Sequence, residues 1–157
     1  MKTIRQQIHN NLVALISLAV AVGALGYNTW RNETTEEQRN IRHASFRVLE
    51  NLGELQEVVD MRHYYLPFET ASGQEGQLRI QGFGSLGMIR DLMMLMPEPA
   101  PSAGEALYQD WQRQFGDLDD LDAAGKHTAA ATRAEETLTL RIRQSREAVL
   151  HVLKDLE

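Results

Sequence analysis

Residues 12–27, LVALISLAVAVGALGY, contain no charged side chain, and nothing else in the 157-residue chain limits its folding so strongly. With Asn28, Thr29 and Trp30 the stretch matches the roughly 20 residues that a helix needs to cross the hydrocarbon core of a bilayer. A soluble core helix of this length would carry a polar side, and this one has none. Tyr27 and Trp30 close one end, next to Gly26, where amphipathic rings favour the membrane interface. Lys2 and Arg5 flank the other end, beyond Leu12. The expected division is a short tail at 1–11, a transmembrane anchor at 12–30 and a domain at 31–157, with the lipid bilayer as the first partner.

A basic start and an apolar run also suit a cleaved signal peptide, and Ala24-Leu25-Gly26 offers small residues for cleavage. No helix-breaking region precedes that site, so an uncleaved anchor is the expectation. Basic residues stand on both sides of the span. Arg31, Arg39, Arg42 and Arg47 follow it, but Glu33, Glu36 and Glu37 are interleaved among them. The short basic tail is therefore expected inside, which places the rest in the periplasm on a single-pass inner-membrane anchor. That remainder is acidic within a net charge of −6, so anionic lipid and nucleic acid should both repel it.

Beyond the anchor the chain reads as all-α. Ile41, Ser45, Val48, Leu52, Leu55 and Val59 repeat at alternating intervals of four and three residues. Leu78, Gly82, Ser85, Ile89, Leu92 and Met96 do the same, as do Leu138, Ile142, Ser145, Val149, Val152 and Leu156. This is the seam of helices packed lengthwise at a shallow angle. Leu107, Trp111, Phe115 and Leu118 supply a further apolar stripe. Four helices are expected, at about 31–66, 77–96, 103–118 and 123–156, with the transmembrane helix continuing into the first. Pro67, Gly73 and Gly76 mark one loop, and Pro97 to Pro101 another. Ser102 with Glu105 has the spacing of a capping box.

One stretch, QGFGSLG at 81–87, has the G-x-G-x-x-G spacing of a dinucleotide-binding loop. That loop needs a strand before it and a helix opening after it. EGQLRI is too short and too polar for a buried strand, and the spacing alone is a weak signal. Gly82 and Ser85 fall on the seam, so the stretch reads as helix surface, and no cofactor is expected.

No other chemistry stands out. The chain has no cysteine, which excludes thiolate sites. Asp60 with His63, and Glu147 with His151, are helical neighbours that could each form half a metal site, but most such pairs are surface ion pairs and no metal is expected. DLDDLD at 117–122 lacks the central Gly and closing Glu of a calcium loop. It reads as a solvated turn whose carboxylates favour the start of the last helix. No catalytic residue can be singled out.

MRHYYLPF and RDLMMLMPEP gather large side chains. These read first as a core closing the end of the bundle; alternatively Tyr64, Tyr65, Met93 and Met94, with the basic residues Arg39, Arg42 and Arg47, form a candidate partner surface. The expected function is non-enzymatic: a membrane-anchored interaction or scaffold subunit of an envelope assembly, binding other membrane or envelope proteins and pairing with itself only with the membrane's help. The alternative is an extracytoplasmic sensory bundle signalling through a partner. A membrane helix continuing into a four-helix bundle is similar in plan to the ectodomains of bacterial chemoreceptors, a resemblance of architecture only.

Overall fold

The computed structural model describes residues 11–68 and 73–156. The basic tail with Lys2 and Arg5 lies outside them. The chain divides into two units, residues 1–40 and 41–157. The first helix, α1 (Leu12–Asp60), supplies the described part of one unit and the opening of the other.

In the first unit α1 is solvent-facing throughout its apolar stretch. An 18-residue window there has a mean hydropathy of 1.8 with no residue buried, so this helix is long and apolar enough to cross a membrane. Tyr27 and Trp30 lie near each other, ring centroids 6.2 Å apart. Past the apolar run, the Thr29, Thr34 and Thr35 hydroxyls donate to carbonyls one turn back, at 2.8 to 3.0 Å. These bonds satisfy the hydroxyls within the helix itself.

The second unit is a four-helix bundle. After α1 come α2 (Gln74–Met93), α3 (Ala100–Gln114) and α4 (Ala129–Asp155). Cross-helix contacts sort the residues by end. Arg42 reaches the Leu156 carbonyl, Ser45 the Met96 sulfur, and Ser145 the Ala103 carbonyl. At the opposite end Arg62 meets Asp119 and Glu75. The helices therefore run alternately up and down, as short connections require. Among the described residues there is no strand, only an isolated antiparallel bridge between Leu121 and His127.

The seam spacing supplies the core. Val48, Leu52, Leu55 and Val59 of α1, Ile89 of α2, Leu107 and Trp111 of α3, and Leu138 and Val149 of α4 are all fully buried. Ser45 and Ser145 occupy seam positions and are equally buried. Asp110 of α3 is also buried, held between Arg113 and Arg141 of α4. Burial opposes its ionisation, but the hydrogen bonds from the two guanidinium groups outweigh it and hold the carboxyl below its ordinary range.

The three glycines of QGFGSLG sit in mid-helix on α2, with no strand before them. Only Gly82 is explained by packing. A Cβ there would meet Trp111 at 2.7 Å and Val58 at 3.1 Å, whereas Gly84 and Gly87 have nothing within 4 Å.

Two helix starts differ from the sequence reading. α3 opens at Ala100, ahead of Ser102, because a proline in the first turn costs no intrahelical bond. Ser102 donates to Glu98 instead of capping, and Glu105 binds Arg90 and Gln109. α4 opens at Ala129 rather than near 123. Asp122 accepts from the backbone N–H groups of Ala124 and Lys126, and Gly125 adopts φ 73°. This side-chain-held turn competes with helix until Thr128 caps α4 by accepting from Ala131.

Candidate functional site

The helical spacing that buries Val59 continues by three residues to Arg62. There α1 changes from α to one turn of π-helix, Met61–Tyr65, closed by the Leu66 N–H donating to the Met61 carbonyl. Pro67 follows, and having no N–H it cannot extend the ladder. The wide turn buries two consecutive residues, Arg62 and His63, and leaves Tyr64 and Tyr65 outside. Such turns recur at functional sites.

Arg62 is 4% exposed. Its Nε and Nη2 donate to one oxygen of Asp119 at 3.1 and 3.0 Å, and Glu75 lies 3.7 Å from Nη2. The guanidinium stands 4.3 Å above the Phe115 ring, so its charge is met by carboxylates at the side and by a π-face below. Its Nη1 is buried with no hydrogen-bond partner among the described residues.

His63 lies 2.7 Å from the Leu118 carbonyl through Nδ1. A carbonyl only accepts, so Nδ1 carries the proton. The ring also stacks on His127, centroids 3.9 Å apart and planes 17° from parallel. Tyr64 and Phe68 pack edge-on against His63 and His127, respectively. Burial, and then the neighbouring charge of His63, push the His127 imidazole below its ordinary value. Burial, with the Glu135 and Asp60 carboxylates, raises the Tyr64 phenol. Asp119 belongs to DLDDLD, so that segment is not only a solvated turn: one of its carboxylates neutralises the buried arginine.

Chemically this is a latch between the end of α1 and the 115–128 connection. Ring lone pairs lie in the ring plane, and two parallel stacked planes give no point where one ion could meet both. Among the described residues no three His, Asp or Glu side chains gather as a metal site. Asp60 binds Gln56 rather than His63, and His151 pairs with Asp155. What the latch presents outward is aromatic: Tyr64, Tyr65 and Phe68 are 53%, 56% and 62% exposed.

The other candidate partner residues are dispersed. Met94 is exposed, but Met93 is fully buried against Gly104, whose missing side chain lets the Met93 sulfur approach. Met93 is therefore a core residue and leaves the partner surface. Arg47 pairs with Glu50, Arg42 with the Leu156 carbonyl, and Arg39 is exposed. Sequence reasoning missed Phe46, exposed beside Arg47, and the Arg62–Asp119 and His63–His127 pairs. For Arg62 a signal existed, since it is the next step of the α1 seam and a charge there needs a buried partner.

The fold and site define an all-α protein: a four-helix bundle whose first helix carries an exposed apolar N-terminal stretch. In comparisons with known proteins, no family model, curated protein or solved structure matches this chain.

Proposed function

We propose that this protein is a single-pass, membrane-anchored scaffold or adaptor subunit that docks another envelope protein on its aromatic tip. The observation that carries the reading is the exposure of Tyr64, Tyr65 and Phe68 on a turn whose next residues inward, Arg62 and His63, are locked by an ion pair and a ring stack. Rigid aromatic side chains give large contact area at low entropic cost, which is why they anchor interfaces. The apolar stretch of α1 serves as the anchor, in the inner membrane with the bundle in the periplasm, and confinement to the membrane favours self-association or partner encounter.

Site-specific photo-crosslinking tests this. A benzoylphenylalanine at Tyr65 should form one discrete adduct in membranes, and the same probe at Arg143, exposed on α4, should not. Equal crosslinking at both positions, or at neither, defeats the docking reading. Alkaline phosphatase fused after Glu157 should be active, and an inactive fusion would reverse the orientation.

A second reading, a sensory bundle that signals through a partner, is favoured by one observation: a recess of about 200 Å³ between the end of α1 and the start of α2.

A further inference from the structure

The recess has an apolar floor and a polar rim. Met61 and Leu78 form the floor, with the fully buried Val58 behind them, and Met61 is also the first residue of the π turn. Glu57, Gln74, Gln77 and Gln81 form the rim. None of these four side chains makes a hydrogen bond or ion pair with another described residue. Four polar side chains around an apolar floor, with no bonds to other described residues, can orient a small molecule.

The lining selects the ligand class. Among the described residues that line it, the only charge is the Glu57 carboxylate, in a chain of net charge −6, so none of them offers an anion a counter-charge. One carboxylate is too few for a divalent cation, which takes several oxygen ligands. Among the described residues no aromatic ring lines the recess to stack on the face of a sugar. An engineered cavity of about 150 Å³ holds benzene, so the present volume suits roughly six to nine non-hydrogen atoms.

We infer that this recess binds a small organic cation, a primary ammonium on a compact apolar body. The ammonium pairs with Glu57, the glutamine amide oxygens accept its remaining protons, and the hydrocarbon rests on Met61 and Leu78. This deepens the sensory reading and does not depend on the aromatic tip.

The full chain in nanodiscs, with empty nanodiscs as the blank, is titrated with cyclohexylammonium, cyclohexanol and cyclohexanecarboxylate. The side-chain amide resonances of Gln74, Gln77 and Gln81 are followed by NMR. Cyclohexylammonium should shift them saturably with a Kd on the order of 1 mM, the scale a ligand of so few atoms reaches. Cyclohexanol should bind at least about tenfold more weakly and the carboxylate not at all, since removing a charge-assisted bond carries that penalty or more. Glu57→Gln should lose about tenfold for the ammonium with an unchanged Tm, because Glu57 is exposed and unbonded in the fold. If cyclohexanol binds as well as the ammonium, or Glu57→Gln binds undiminished, the cation assignment is wrong while ligand sensing survives. If none of the three shifts the amides, the recess is no ligand site and the sensory reading falls with it.

Discussion

Trp111 lies so close to Gly82 that a Cβ on the glycine would stand 2.7 Å from the indole Cζ2. Two turns of neighbouring helices meet there with no room for a methyl group. Gly84, two residues on, faces open space. The two glycines should therefore respond to substitution with opposite sign. Gly82→Leu should destabilise the bundle by about 1–3 kcal/mol through overpacking. Gly84→Ala should stabilise it by up to about 1 kcal/mol through helix propensity alone. Denaturant unfolding of the two variants measures both. A stabilised Gly82→Leu would mean that Trp111 has space to move.

The stacked histidines make the far end of the bundle acid-sensitive. The folded-state pKa of His127 lies below the ordinary value of 6.5 because of burial and of His63 beside it. A group depressed on folding contributes stability above its unfolded value, and that contribution is lost as the pH falls through the folded one. Asp60, Glu75, Asp119 and Glu135 surround the latch and soften the effect, while Arg62 adds to it. The protein should lose stability below about pH 6.5. His127→Gln should flatten that slope in thermal melts across pH 7 to 5. An unchanged slope would show that the stack carries no titrating charge.

Arg62 has no solvent to fall back on. Asp119→Ala should cost about 1.5–3 kcal/mol, the scale of a lost hydrogen bond to a charged group, with Glu75 the one ion-pair partner left among the described residues. Adding Arg62→Met to that variant should recover part of the loss, because the buried charge goes with its partner. A double variant less stable than Asp119→Ala alone would mean that Arg62 acts by packing on Phe115 rather than by its charge.

The local sequence pattern was enough for the helices and their buried faces. Spacings of four and three mark which side of a helix is apolar, and burial follows that side whatever it meets. Hence Val48, Leu52, Leu55, Leu138 and Val149 were legible before any partner was known. So was the apolar stretch of α1, because length and the absence of charge are read directly. The same spacing placed Gly82 and Ser85 on a packing face, and both are buried there.

Tertiary structure decided the rest. His63 and His127 are distant in the chain, and nothing in either local pattern says that their rings stack. Arg62 and Asp119 form a pair only because the connection after α3 folds back over the end of α1. Met93 falls on the apolar stripe of α2 and Met94 does not, but that Met93 packs against Gly104 of α3 shows only in the fold. The recess between α1 and α2 is lined by residues of both helices, so neither pattern alone shows it. Periodicity is a property of one helix, whereas these features belong to the approach of two. That approach is set by the summed packing of the whole core, which no single segment encodes.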